Sequence, residues 1–468
     1  MSKTDSTVKG AGISGVVDLP VGAAEEDLGA RNACKLCTPL GACLVFRGVE
    51  GCVPFLHGSQ GCSTYIRRYL ISHFREPIDI ASSNFHEESA IFGGSENFRA
   101  GIANVVRQYR PKIVGVATTC LAETIGEDMP RLVRDYFKQA ADPDLHIVRV
   151  STASYRGTHI DGFHAAVTEL VATLAQGGSP RMEINLFPGM VSPADLRHLK
   201  EIFRDFHLPL ALLPDYSESM DGGTWTDYQP LQEGGTPVSE IIGMGGHRGS
   251  IEFGSVLGER SAGTVLRDKF SVPNTRLALP IGMRATDHFL QVLEELSASP
   301  RPEAYNKERG RLLDAYIDGH KYIFGKRAVV YGEEDLVIAL AGFLCEIGIT
   351  PVLCASGGRS GLMKQALREH VPDLPAETKI MDKCDFATIS EIAEALRPDL
   401  LIGNSKGYSL SRRLGLPLVR VGFPIHDRMG AQRIHHLGYR GAQELFDRIV
   451  NALMDAKQEA SDVGYSYL

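Results

Sequence analysis

No apolar stretch of this 468-residue sequence approaches the ~20 residues that a membrane-spanning helix needs. The best candidate, Leu336 to Cys345, is too short and closes on Glu346. Basic charge is also scarce: 49 lysines and arginines face 57 aspartates and glutamates, for a net charge of −8. The electrostatic footprint for a nucleic-acid backbone is therefore missing, so no nucleic-acid partner is expected. No GxxxxGK(S/T) occurs, which excludes ATP binding through a P-loop. The N-terminus (MSKTDSTVKGAGISG) has no apolar core and reads as a polar tail, not a signal peptide. The expected location is the cytoplasm, with no membrane partner. Compositional bias is absent too. With 43% apolar and 23% charged residues, the mixture is that of a globular protein, not a disordered, collagenous or coiled-coil chain.

What is present is a recurring alternation. Short apolar runs ending in Gly, Ser, Thr or Asp alternate with helical patterns. They include Lys112–Thr119, His146–Thr152, Glu183–Gly189, Leu208–Asp215, Arg276–Gly282, Arg327–Gly332, Thr350–Ala355, Lys379–Asp382, Asp399–Asn404 and Leu416–Phe423. Continuous apolar strands of this kind belong in parallel sheets covered on both faces. The length predicts about three domains, and Gln176-Gly-Gly-Ser-Pro180 and Ala298–Asn306 punctuate the chain. The fold class is therefore α/β: three Rossmann-like parallel-sheet domains with helices on both faces. The expected division is a polar tail over 1–30, a cysteine-bearing domain over 31–178, a second over 179–305 and a third over 306–468. The third ends in a helix whose buried face is Leu445, Ile449 and Leu453, with Phe446 and Val450 beside it.

Cysteines number nine, and six fall in the first 120 residues: Cys34, Cys37, Cys43, Cys52, Cys62 and Cys120. An odd count in a large cytosolic chain argues for reduced thiols and against a disulfide framework. Cys34-Lys-Leu-Cys37 is a CxxC, and Cys62 ends His57-Gly-Ser-Gln-Gly-Cys62. From spacing alone, a zinc site, an iron–sulfur site and scattered structural thiols stay open. Gly58 and Gly61 tip the balance towards a sulfur-rich cluster, because they remove side-chain bulk beside Cys62. Cys120 directly follows the end of a strand, where α/β folds place ligands. Cys345, Cys354 and Cys384 read as core packing. Asp314 and Asp318 share one helical face, which by itself is a solvated face. The His435-His436 pair reads as surface, Gly243–Gly249 as a loop, and Trp225 as a packed loop anchor.

Seven motifs together resemble the β-type subunits of nitrogenase component 1. They are Cys37-Thr-Pro-Leu-Gly-Ala42, His57-Gly-Ser-Gln-Gly-Cys62, His73-Phe-Arg-Glu-Pro77, Phe92-Gly-Gly94, Thr118-Thr-Cys-Leu-Ala-Glu-Thr124, Ile402-Gly-Asn-Ser405 and Arg420-Val-Gly-Phe-Pro-Ile-His-Asp-Arg428. They run in family order over nearly the whole chain. The resemblance implies an α-type partner in an α2β2 heterotetramer and a double-cubane [8Fe-7S]-type cluster (the P-cluster) shared across that interface. Cys37, Cys62 and Cys120 match this side's ligands, and Ser154 matches a serine that can join the oxidised cluster. Cys34, Cys43 and Cys52 match no ligand and read as buried thiols or supports behind the ligands. The resemblance also implies a mononuclear cation at the β–β interface, held by Glu76, Asp314 and Asp318. Three oxygen ligands suit Ca²⁺, Mg²⁺ or a hard iron ion.

No catalytic residue is expected in this chain, since the family keeps its substrate-reducing cofactor in the α-type subunit. A separate dimeric, ATP-hydrolysing iron protein would supply the electrons. The full cysteine set favours an oxidoreductase subunit over the cofactor-assembly scaffold, whose β-type subunit commonly lacks part of it. Against the molybdenum-nitrogenase pattern stand a short N-terminal extension and the ending Gly464-Tyr-Ser-Tyr-Leu468. The segment around the first cysteines (ACKLCTPLGACLVFRGVEGC) is scaffold-like in character. The combination makes the β-type subunit of nitrogenase-like methylthio-alkane reductase the expected match. The alternatives are the assembly scaffold, a dinitrogen-reducing β-subunit and, from a different class, a binding module without iron.

Overall fold

The computed structural model describes residues 33–139 and 144–462. The tail expected over 1–30 lies outside the described residues. Thirteen strands form three sheets, and every strand pair is parallel. The first sheet holds β1 (Cys52–His57), β2 (Ala81–Ser82), β3 (Ile113–Thr118) and β4 (His146–Val150), in the order β2-β1-β3-β4. The second holds β5 (Ile184–Phe187), β6 (Leu210–Leu212), β7 (Gly249–Phe253) and β8 (Asn274–Leu277), in the order β6-β5-β7-β8. The third holds β9 (Arg327–Gly332), β10 (Thr350–Ser356), β11 (Lys379–Met381), β12 (Leu400–Gly403) and β13 (Leu418–Arg420), in the order β11-β10-β9-β12-β13. Strands β1, β3, β5, β7 and β12 are buried along their whole length, as expected of sheets covered on both faces.

Each order reverses once: between β1 and β3, between β5 and β7, and between β9 and β12. At such a reversal the chain leaves two adjacent strands in opposite directions, opening a crevice at their carboxyl ends. The first crevice carries Cys62 and Cys120. The third is closed by the segment that leads into Cys37.

Helix Thr38–Arg47 is buried at every position. It crosses helix His159–Leu174 backbone to backbone, and two glycines make that approach feasible. A Cβ on Gly41 would stand 1.8 Å from the His159 carbonyl oxygen, and one on Gly162 1.9 Å from that of Thr38. The final helix, Gly438–Glu459, buries Leu445, Phe446, Ile449, Val450 and Leu453, the face read from its periodicity.

Four expectations need correction. β1, the two-residue β2 and β7 fall in none of the expected runs. The glycine-rich Gly243–Gly249 is no loop, but the end of helix Val238–Gly243, a 3₁₀ turn and the first residue of β7. Trp225 is 48% exposed and anchors no packed loop. His436 is only 8% exposed, because its Nδ1 stands 3.1 Å from the Oδ2 of fully buried Asp195; His435 is half-buried.

Candidate functional site

Strand ends bring the thiols together. After β1 the chain turns through Gly58, whose φ of +154° favours glycine. A Cβ there would stand 1.9 Å from Thr119 Oγ1. The Thr119 hydroxyl and amide both donate to the His57 carbonyl, at 3.2 and 3.1 Å. The turns leaving β1 and β3 are thus locked side by side. Gly58 is required by this packing against Thr119. Gly61 keeps its open side: a Cβ there would meet only Ser59 Oγ, at 3.6 Å.

Each of the three cysteines stands at a helix start. Cys37 is the N-cap of helix Thr38–Arg47, Cys62 lies in the first turn of helix Gln60–Phe74, and Cys120 opens helix Cys120–Thr124. For Cys62, in the first turn of its helix, the N-terminal dipole favours the thiolate, the form that binds iron. Burial opposes it at Cys62, and the charges of Cys37 and Cys120 add to that opposition, so the Cys62 pKa lies above the ordinary value. Iron must therefore displace protons to bind. Ser154 closes the ring: its amide donates to Cys120 Sγ at 3.3 Å, and its Oγ accepts from the Thr38 amide at 3.2 Å. The Thr38 hydroxyl is buried without a partner. Among the described residues no three His, Cys, Asp or Glu side chains stand close enough to hold one ion. A half-buried thiol set near a glycine's open side fits a polynuclear iron–sulfur group, and does not fit a zinc ion. Large apolar side chains rim this chamber: Tyr65, Leu121 and Tyr155 are exposed.

The segment before Cys37 is an arm held by other domains. Ala33 forms an antiparallel bridge with Asp385. The Cys34 carbonyl lies against Gly357, where a Cβ would come within 2.6 Å. Leu36 donates its amide to His159 Nδ1 at 3.4 Å, which leaves the His159 Nε2–H to Glu333 Oε1 at 3.2 Å. Cys34, Cys43, Cys52, Cys354 and Cys384 are buried thiols, and Cys345 is half-buried.

One further motif ties the first sheet's region to the third, and others pack within the first. His73 Nδ1 accepts from the Ile425 amide at 2.9 Å, and Arg75 donates to the His426 carbonyl at 3.2 Å. Phe74 stacks on Phe423 with ring centroids 6.0 Å apart. His57 lies under Phe85 and Phe98, with Nε2 3.5 Å from Glu127, which also accepts from Gly94 at 2.6 Å.

The carboxylates of the expected cation site do not converge within this chain. Glu76 is half-buried and accepts from the Gly222 amide at 3.1 Å. Burial holds its pKa above the ordinary value. Asp314 and Asp318 are exposed on helix Glu303–Ile323, beside exposed Leu313 and Ile317. No helix among the described residues is long and apolar enough to cross a membrane.

Comparisons with known proteins agree with the motifs. The family model for nitrogenase component 1 type oxidoreductases matches residues 37–454. The molybdenum-iron protein beta chain of Clostridium pasteurianum nitrogenase is 35% identical over 91% of this chain and 93% of its own length. The iron-molybdenum cofactor biosynthesis protein NifN of Nostoc sp. is 34% identical over 92% of this chain and 94% of its own. The solved structure "Nitrogenase Cp1 at pH 6.5" superposes with a TM-score of 0.91 at 32% identity, covering 96% of this chain and 99% of that one.

Proposed function

The chain belongs to the nitrogenase component 1 type oxidoreductase family as a β-chain-like member, and from that premise we propose that it is the electron-relay subunit of a nitrogenase-like reductase. Cys37, Cys62 and Cys120 hold this chain's half of a double-cubane iron–sulfur cluster, with Ser154 in reach of it. The α-type partner supplies the other half and carries the substrate-reducing cofactor. When bound, the cluster stores and passes electrons delivered by an ATP-hydrolysing iron protein. This chain's residues position the thiolates and exclude water behind them. The observation that carries the reading is the convergence of three thiols from separate helix starts into one chamber. The exposed rim of Tyr65, Leu121 and Tyr155 supports a partner seated over that chamber.

The substrate we assign is a methylthio-alkane, cleaved reductively at its C–S bond to a thiol and a hydrocarbon. Near-equal identity to a molybdenum-iron beta chain and to a cofactor-assembly protein fits a branch distinct from both. Glu76 of one copy and Asp314 and Asp318 of another would hold the cation between two β-type subunits. In the purified complex, Cys62→Ala should remove interface iron and stop turnover while the iron protein keeps its own ATPase. Wild-type iron content and turnover in that variant would sink the relay assignment. Gas chromatography should detect methanethiol and a hydrocarbon from a methylthio-alkane, with little ammonia from dinitrogen. Efficient ammonia formation would instead identify a dinitrogen reductase. If neither product forms, but a cofactor precursor passes to an apo-nitrogenase, the chain is a scaffold.

A further inference from the structure

The crevice at the order reversal of the third sheet, between β9 and β12, is where an α/β domain presents a ligand site. Here a piece of the chain itself occupies it. The carboxyl end of β12 continues through Asn404 and Ser405 into Lys406, and the end of β9 continues into Glu333. The Lys406 ammonium donates to the Ala33 carbonyl at 2.5 Å and to the Lys35 carbonyl at 3.4 Å. Both carbonyls belong to the arm that delivers Cys37. From the other side of the crevice, Glu333 reaches the same arm through His159 and the Leu36 amide.

The turn carrying Lys406 is stiff. The Asn404 side chain accepts from the Lys406 amide at 3.1 Å and donates to the Phe423 carbonyl at 3.0 Å. Beneath it lies the fully buried Tyr331 ring, whose hydroxyl donates to the Asn404 carbonyl at 2.7 Å. Gly403 and Gly407 leave that ring room: a Cβ on either would approach its atoms within 2.5 and 1.9 Å respectively. Ser405 bonds Asp427, which Arg420 grips through both carboxylate oxygens. A long, flexible lysine is thus presented from a base that barely moves, which limits the entropy lost when its head group docks.

An ammonium has three donors, and two carbonyls take two of them. The charge itself remains, half-buried and near Cys37. Burial lowers the Lys406 pKa, while the neighbouring Cys34, Cys37 and Glu333 side chains pull it back up. A positive charge this close to a cysteine-ligated cluster stabilises the more reduced, more negative state, because field effects are strong where water is excluded.

We propose that Lys406 is a positioning residue that pins the Cys37 arm in the third sheet's crevice and raises the reduction potential of the interface cluster through its ammonium charge. The inference rests on the cluster assignment above and goes beyond it. It makes a residue beside the third sheet, 369 positions from Cys37 in sequence, a determinant of the relay's driving force.

The test is an EPR-monitored redox titration of the purified complex carrying wild-type chain, Lys406→Arg, Lys406→Gln or Lys406→Met. Lys406→Arg should keep the wild-type midpoint. Lys406→Gln retains two donors for the arm but no charge. It should lower the midpoint by about 59 mV, a tenfold change in the oxidised-to-reduced ratio for one electron, with iron content unchanged. Lys406→Met should lower the midpoint as far and also load less iron, since the arm is no longer held. Should Lys406→Met not assemble, Lys406→Gln carries the same comparison. A wild-type midpoint in the iron-loaded Lys406→Gln variant overturns the charge effect. Wild-type iron loading in Lys406→Met overturns the positioning role. A wild-type complex with no interface cluster signal would instead refute the relay reading itself, so the two failures are distinguishable.

Discussion

The cysteine chamber and the acidic positions differ in how much of a site one chain can build. For the chamber, strand order does the work: β1 and β3 are neighbours, so the turns after them set Cys62 and Cys120 together. A helix crossing and an interdomain arm then add Cys37. For the acidic positions nothing comparable happens. Glu76 bonds its own domain's neighbour at Gly222, while Asp314 and Asp318 face outwards with exposed Leu313 and Ile317 beside them. A half-site assembled from one chain leaves crowded, half-buried groups. One shared between copies leaves exposed carboxylates that by themselves look like any solvated helix face.

The largest expected effect breaks the chamber at its tightest point. In Gly162→Val the new Cβ stands 1.9 Å from the Thr38 oxygen, and backbone cannot yield as a flexible side chain would. Helix Thr38–Arg47 must shift, carrying Cys37 with it. We expect a loss of about 3 kcal/mol in a urea titration, the upper end for overpacking, together with a clear fall in cluster iron. A variant with wild-type midpoint and iron content would mean that the crossing does not set the Cys37 position.

A smaller effect probes the other side of the comparison. Asp314→Asn combined with Asp318→Asn should leave cluster iron and per-cluster electron transfer intact. Pairing of β-type copies should weaken by at least tenfold, about 1.4 kcal/mol, read by sedimentation equilibrium alongside loss of a chelator-exchangeable ion. Loss of cluster iron in this double variant would show that the two sites are coupled, and the contrast drawn here would fail.

Much of the chamber was legible in the sequence because its motifs are local: a cysteine after a strand end, glycines beside it, and helix starts. Ten strand runs could be read from apolar composition, and a strand overlaps each of them, though β8 starts two residues early and shares only Arg276 and Leu277 with its run. β1 escaped because Cys52-Val-Pro-Phe-Leu-His57 carries a proline, which ordinarily argues against a central strand. β7 escaped because its first glycine closes a glycine-rich stretch that resembles a loop. Partners distant in sequence were beyond reach. Nothing near His436 announces Asp195, 241 positions away, and nothing near Lys406 announces Ala33, 373 positions away. The packing of Gly58 on Thr119 was equally out of reach, since Thr119 comes from another strand end.

The smallest effect sharpens the comparison by contrasting two buried carboxyl groups, one that hydrogen bonds hold ionised and one that burial holds protonated. Burial pushes the Asp195 pKa up, but hydrogen bonds from the His436 ring and from the His436 and Leu437 amides outweigh it and leave the value below the ordinary one. Glu334 follows Glu333 at the third crevice, is 8% exposed, and has a buried Oε1 without a partner. Burial pushes its pKa up to about 7. The folded state therefore keeps a proton that the unfolded chain releases near pH 4.5, so this group's contribution to stability falls as pH rises from there through about 7. Glu334→Gln removes that dependence. Thermal melts of wild type and variant should nearly coincide at pH 5, with the variant melting a few degrees higher at pH 8. A variant that melts lower than wild type at pH 8 would mean that the ionised carboxylate is satisfied in the folded chain. Glu334 would then belong with Asp195, as a group the chain completes by itself.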